Sequence, residues 1–310
     1  MNRTIGRSEG RTRTRRNLAR RISGAALCAS LLGCAASDPK TESTPPAWVH
    51  RTIAVGSGDS LHLAHRNLGA SRALVFVPGL GDTWRSWLAL VTELPDSFGI
   101  VLVDALGHGA STKRQGANGP GRQVEALSAA LDSLGVEPHA LIGHSYGGFI
   151  VQYYGRKRPE VPAAIIMAAG TTLRTNPAAA DFRALATSMP DTVPDEVLEL
   201  QRESFFGDVP DAVVRPYIDA SRDTPGQVWR DVIDTLLAAD TRSFLADFRP
   251  RTLLVMAEND KVVGNASMND IVAALPAADT VRIPRTSHAM HWERPDTVAA
   301  VVLSFLGAMR

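Results

Sequence analysis

The run Gly143-His144-Ser145-Tyr146-Gly147-Gly148 stands directly between a short apolar segment, Ala140 to Ile142, and a stretch with apolar residues at three- and four-residue spacing over 147–157. A serine with glycine two residues away on each side, placed where a strand turns straight into a helix, constrains this chain more than any other feature. Glycine on both flanks lets the backbone crowd around a strained turn, and the helix amino terminus favours negative charge developing beside the serine. A strand that feeds a helix in this way belongs to a parallel sheet with crossover helices, so the rest of the chain must supply both.

It does so. Ala73 to Val77, Gly99 to Val103, Ala163 to Ala168, Thr252 to Met256 and Thr280 to Ile283 are continuous apolar runs like that at 140–142, the pattern of strands buried on both faces of a parallel sheet. Ile53 to Val55 and Leu61 to Leu63 alternate apolar and polar residues around Gly56-Ser57-Gly58-Asp59 and predict an antiparallel hairpin at a sheet edge. Helices are predicted over 83–94, 121–134, 147–157, 265–274 and 296–309. The sum is a doubly wound, mostly parallel eight-stranded α/β sheet with flanking helices. The rhythm breaks from Thr171 to Pro250, where amphipathic pieces such as Asp195 to Phe206 and Gln227 to Leu237 occur without a convincing strand. An insertion there lies over the carboxyl ends of the strands and reads as a helical lid. The core is then 48–170 with 251–310, and the lid 171–250.

Four landmarks in chain order resemble the α/β-hydrolase family, over about residues 48 to 310. Val77-Pro78-Gly79-Leu80-Gly81 follows the third strand, with Pro78 where the family usually has His and Leu80 at the oxyanion-hole position. Asp104-Ala105-Leu106-Gly107-His108-Gly109-Ala110-Ser111 resembles the loop after the fourth strand, and the serine turn comes next. His288-Ala289-Met290-His291-Trp292-Glu293-Arg294-Pro295 matches the family's H-x-x-x-x-E-x-P, with Ser287 in place of the common preceding glycine. Between turn and histidine, Ala257-Glu258-Asn259-Asp260 stands where the family has G-x-x-D. The resemblance implies Ser145 as nucleophile, His288 as base, Asp260 as the acid that orients it, and the N–H groups of Leu80 and Tyr146 as oxyanion hole.

Rival residues stand beside two of these. Glu258 is a second carboxylate two residues before Asp260, and His291 a second histidine three after His288. Glu293 reads as a tie between its loop and the last helix, and His108, between glycines, as structural. His144, at the variable position of the turn, is expected to face away from substrate. Trp84 and Trp87 read as helix packing, with Trp84 near enough to the oxyanion loop to wall a pocket. Within the lid, Phe182, Leu185, Met189, Phe205, Phe206, Tyr217, Trp229, Phe244 and Phe248 supply a candidate apolar lining, and Arg174, Arg183, Arg202, Arg215 and Arg222 read as solvated faces, with contact to a carboxylate substrate as the alternative. No metal-ligand cluster, phosphate loop or dinucleotide fingerprint is present in the sequence, and the resemblance implies no cofactor.

The first 33 residues hold eight arginines and one acid, which leaves 25 basic against 31 acidic side chains after them, a net charge of −6. A mildly acidic body argues against nucleic acid as a partner. Arginines over 3–21, small and apolar residues over 22–33 and then Cys34 follow the order of a cleaved export signal. Leu31-Leu32-Gly33-Cys34 resembles the lipobox of bacterial lipoprotein precursors, and Thr14-Arg15-Arg16-Asn17-Leu18-Ala19-Arg20 a twin-arginine signal with Leu18-Ala19 for the usual Phe-Leu. On that reading residues 1–33 are removed, and Cys34 is acylated and held in the bilayer of a bacterial cell envelope. Residues 34–47, polar and Pro-rich, are the tether. The alternative for the arginines is a basic arm that binds nucleic acid or another negatively charged partner. The only cysteines are Cys28 and Cys34, so the body contains neither disulfide nor thiolate nucleophile. No apolar run approaches the roughly 20 residues of a membrane-spanning helix.

A serine at position 145, rather than aspartate, separates the chain from epoxide hydrolases and haloalkane dehalogenases. The resemblance implies an esterase- or lipase-type serine hydrolase that cleaves an ester, lactone or amide of a small to medium apolar substrate through an acyl-enzyme. C–C bond hydrolysis and cofactor-free haloperoxidase chemistry are the alternatives on the same fold. The alternative of another class is a lipid-anchored binding protein with a vestigial triad, whose mark would be a missing triad member; none is missing here.

Overall fold

A computed structural model describes residues 47–116, 118–176 and 178–309. The stretch read as an export signal, Cys34 and the expected tether up to residue 46 lie outside the described residues. Eight strands form one sheet: β1 (Val49–Ala54), β2 (Ser60–Arg66), β3 (Ala73–Val77), β4 (Gly99–Val103), β5 (Pro138–His144), β6 (Ala163–Met167), β7 (Arg251–Ala257) and β8 (Asp279–Ile283). Their order is β1-β2-β4-β3-β5-β6-β7-β8. The β1–β2 hairpin is antiparallel and β2 runs antiparallel to β4, whereas every other pairing is parallel.

Side chains alternate across the central strands, as a period of two demands. Leu74, Phe76, Ile100 and Leu102 point to one face, where they bury Trp87, Leu90, Phe305 and Leu306. Val75, Val77, Val101 and Leu141 point to the other, against Leu127, Leu131, Phe149 and Ile150. The first set of helices is α1 (Leu88–Thr92), α2 (Pro120–Leu134) and α3 (Tyr146–Lys157). α2 shows the end signals that its sequence carries: Pro120 occupies the first turn, where its missing N–H costs nothing, and Gly135 closes the helix at φ 65°.

The segment 171–250 holds α4 (Ala179–Ser188), α5 (Asp195–Arg202), α6 (Asp211–Asp223), α7 (Gly226–Ala238) and α8 (Arg242–Leu245), and no strand among its described residues. After it come α9 (Gly264–Ala274), α10 (Met290–Glu293) and α11 (Pro295–Gly307). Buried residues of α4 to α8, among them Ala186, Val197, Tyr217 and Val232, join the core on the α2–α3 face of the sheet.

Two expectations change. The helix read over 83–94 is a short 3-10 turn, Trp84–Trp87, followed by α1; the Asp104 carboxylate accepts the Trp84 N–H at 2.8 Å and Thr83 caps the turn. β8 is not buried on both faces, because it is the outer strand, and only Ile283 of its five residues is buried.

The order reverses between β3 and β5: β4 lies on one side of β3, and the chain then continues on the other. Such a switch point opens a crevice beyond the carboxyl ends of the strands. Leu80, three residues past β3, and Ser145, directly after β5, flank it.

Candidate active site

Ser145 occupies φ 51°, ψ −115°, a backbone conformation that costs a non-glycine residue about 1–3 kcal/mol. The neighbouring glycines make the turn possible. A Cβ on Gly143 would lie 2.2 Å from the Gly147 carbonyl oxygen, and one on Gly147 would lie 2.2 Å from that of Val77. The turn is held by the Ser145 N–H, which donates to the Met167 carbonyl on β6 at 2.9 Å.

His288 lies in the loop between β8 and α10, 4% exposed. Its Nδ1 is 3.0 Å and 3.1 Å from the two carboxylate oxygens of Asp260, which follows β7. Asp260 Oδ1 also accepts the N–H groups of Val262 and Val263, each at 2.9 Å. Burial by itself would raise the Asp260 pKa, but the attraction of His288 and the hydrogen bonds from His288, Val263 and Val262 outweigh it and hold the carboxyl below its ordinary value. A buried carboxylate on Nδ1 leaves Nε2 as the basic edge of the ring.

The rivals take other work. Glu258 is exposed and accepts the Arg285 N–H at 2.8 Å. His291, fully buried, packs at a tilt against Trp87 and His144 and lies near Asp82 rather than Asp260. Glu293 accepts the Ser287 N–H at 3.0 Å and the Phe206 N–H at 3.2 Å, so it ties the His288 loop to the 171–250 segment rather than to the last helix. His108 is fully buried and bonds the Leu106 carbonyl; burial lowers its pKa to about 4.

Ser145, His288, Leu80 and Tyr146 line one cavity of about 340 Å³, and His144, expected to face away from substrate, forms part of the same wall. Most of its remaining wall comes from the 171–250 segment, including Phe182, Leu185, Val197, Tyr217, Trp229 and Ile233. Of the aromatic and apolar residues expected there, Phe182, Leu185, Tyr217 and Trp229 line it, and Met189, Phe205, Phe206, Phe244 and Phe248 do not. Phe205 instead packs edge-on against Tyr217, and Phe206 is 40% exposed. Trp84 packs on Trp48 and His50, away from the cavity. Arg174, Arg202, Arg215 and Arg222 pair with acids on the outer faces. Among the described residues, no group of three or more His, Cys, Asp or Glu side chains is placed to hold a metal ion.

Asp82, two residues beyond Leu80, is a buried group that motif reading passes over. Its Oδ1 accepts the Thr83 N–H at 2.8 Å, while Oδ2 lies 3.5 Å from Trp292 Nε1 and 4.0 Å from His291 Nε2. Burial raises its pKa from 3.8 to about 7, against the opposing pull of hydrogen bonds from Thr83, Trp292 and Ser86. An acid whose pKa is raised on folding stabilises the fold fully below its unfolded value and loses that contribution as pH rises through the folded value. Relative to Asp82→Asn, the parent is expected to lose about 2–3 kcal/mol of stability between pH 5 and pH 8, at about 1.4 kcal/mol per pH unit up to pH 7. Urea unfolding of both proteins at the two pH values measures this. An equal pH dependence would mean that Asp82 does not titrate near neutrality.

A doubly wound sheet that displays a serine on a strained turn at its switch point, facing a carboxylate-bound histidine across one cavity, defines an α/β enzyme built for hydrolytic chemistry. Residues 74–301 match the model of the Alpha/beta hydrolase family; the chain belongs to that family and is a hydrolase. It is 26% identical over 252 residues to the sn-1-specific diacylglycerol lipase of Mus musculus, covering 76% of this chain and 80% of that one. A match to the Bacillus subtilis protein YqjL, 30% identical over 112 residues, covers 36% of this chain and spans 44% of that protein. Among solved structures, a hydrolase from Pseudomonas aeruginosa PA01 shares the fold, with a TM-score of 0.73 at 24% identity over 83% of this chain and 98% of that one.

Proposed function

We propose that this hydrolase is a serine esterase of lipase type, acting on acyl esters of small to medium apolar groups through an acyl-enzyme on Ser145. The observation that carries the reading is the shared cavity, largely apolar, into which Ser145 and the Asp260-bound His288 both face. Ser145 Oγ attacks the ester carbonyl while His288 Nε2 takes its proton. The oxyanion lies against the N–H groups of Leu80 and Tyr146, each contributing about 3 kcal/mol. As the tetrahedral intermediate collapses, the C–O bond to the alcohol breaks and His288 returns the proton to the leaving oxygen. Water then repeats the sequence on the acyl-enzyme and releases the acid and Ser145. That the mouse relative is a diacylglycerol lipase supports an acyl ester as substrate.

Fluorophosphonate labelling of Ser145, followed by turnover of p-nitrophenyl esters of rising chain length, tests the proposal. Absence of labelling would leave the vestigial-site reading, and labelling without ester turnover would favour another scissile bond.

On this reading the 171–250 segment is a lid that selects substrate without joining the chemistry. Phe182→Ala opens the cavity and is expected to move the optimum toward longer acyl chains, with the fluorophosphonate labelling rate within about tenfold of the parent. An unchanged chain-length profile would remove Phe182 from the acyl wall.

We further propose that the chain is a bacterial lipoprotein, cut before Cys34 and anchored by acyl groups there, with residues 34–47 as tether. Each buried methylene contributes about 0.8 kcal/mol, so two chains on one residue hold firmly. Cys34→Ala is expected to move the protein from the membrane fraction to the soluble one. Mass spectrometry showing an intact Met1, or a cut elsewhere, would refute the anchor.

A further inference from the structure

His144 meets the segments that carry all three parts of the proposed site. It precedes Ser145 in the chain. Its Nε2 lies 2.8 Å from the backbone carbonyl oxygen of His288. Its Nδ1 lies 3.0 Å from the point where a Cβ on Gly79, the neighbour of Leu80, would sit. The carbonyl only accepts, so Nε2 carries the proton and Nδ1 is a bare lone pair facing the Gly79 backbone. Among the described residues Nδ1 has no hydrogen-bond partner, although the ring is buried.

The ring is also backed from behind. His291, itself fully buried, lies with its ring centre 4.3 Å from that of His144 and its Nε2 4.0 Å from Asp82, on the loop that carries Leu80. The His144 ring centre is 4.7 Å from that of His288. A leucine or phenylalanine would fill this volume at less desolvation cost, because a buried polar ring requires partners. Among the described residues, the one hydrogen bond that the His144 side chain makes is to the backbone of the residue whose placement acyl transfer depends on.

We propose that His144 is a positioning residue: its Nε2–H grips the His288 carbonyl while its ring braces the Gly79-Leu80 loop, so that the histidine and the oxyanion hole keep a fixed register about Ser145. The inference rests on the acyl-transfer reading of this site. Burial first, and then the nearness of His288, lower the His144 pKa to about 3, so its one-proton state persists at neutral pH. A displacement of about 1 Å at a reacting group costs on the order of 10²-fold in rate.

The test compares three substitutions. The amide nitrogen of glutamine reaches the place of the histidine Nε2, whereas that of asparagine reaches only the place of Nδ1, and leucine offers no donor. His144→Gln is expected to keep kcat on a p-nitrophenyl ester within about fivefold of the parent. His144→Asn and His144→Leu are expected to lose about 10²-fold in kcat with KM within about threefold, the split expected of transition-state geometry. If the leucine variant does not fold, the asparagine and glutamine pair decides. Placement is read without turnover from the ring-nitrogen resonances of His288 in histidine-labelled protein, which should coincide in parent and His144→Gln and move in His144→Asn. Asparagine as active as the parent, glutamine as poor as asparagine, or His288 resonances unmoved in all variants would overturn the assignment. Moved resonances in a protein whose parent neither labels at Ser145 nor turns over esters would instead sink the acyl-transfer reading and leave the positioning role standing.

Discussion

Ser145→Ala is expected to lower kcat on an activated ester by at least about 10³-fold, some 4 kcal/mol of transition-state stabilisation, and to abolish fluorophosphonate labelling. Alanine keeps the Cβ and therefore the strained turn at φ 51°, the bond from the residue-145 N–H to Met167 and the packing of Gly143 and Gly147. Only the oxygen is lost, so unfolding curves should superimpose on those of the parent. Ser145→Gly separates strain from chemistry: equally inactive, it should be more stable than Ser145→Ala, because glycine takes a positive φ without steric cost. Activity within tenfold of the parent in Ser145→Ala would remove the serine from the chemistry.

How much of this was legible in advance depends on where the information resides. β3 and β4 begin and end where their apolar runs do, because a strand buried on both faces has no register ambiguity to resolve. The serine turn and Asp260 with His288 were legible because strained backbones and hydrogen-bonded dyads demand particular residue types at particular places in the chain. Other features were set by contacts distant in sequence. The Trp84 N–H finds its acceptor on Asp104, twenty residues away, and the expected helix gives way to a 3-10 turn. The helical piece expected over 195–206 ends at Arg202, and beyond it Phe205 turns toward Tyr217 rather than into the cavity. Which way an apolar side chain faces in a set of short helices is decided by its neighbours, so aromatic content alone does not reveal a pocket wall. The Asp82, His144 and His291 cluster left only a faint trace: three polar residues, each within three positions of a motif residue, with no spacing of their own to connect them.

Asp260→Asn is expected to be nearly as damaging as loss of the serine, on the order of 10³- to 10⁴-fold in kcat, for a reason that the local hydrogen bonds make specific. The carboxylate serves two sets of donors: Oδ1 accepts from the Val262 and Val263 N–H groups, and both oxygens face His288 Nδ1. An asparagine has one acceptor oxygen. The two backbone donors claim it, because turning the amide over would aim its NH₂ at two N–H groups. The NH₂ then faces Nδ1 and donates to it, which moves the imidazole proton to Nε2, the edge that must accept from Ser145. The fold should persist, since the Val262 and Val263 bonds survive, and KM should change little. Glu258→Gln is the control, expected within about threefold of the parent because the exposed Glu258 carboxylate holds the Arg285 N–H and the Asn259 amide at the edge of the loop and does not reach His288. Proton-detected nitrogen spectra of His288 would show the tautomer change directly. An Asp260→Asn variant that keeps kcat within tenfold, or a Glu258→Gln variant that loses more than Asp260→Asn does, would transfer the orienting role away from Asp260.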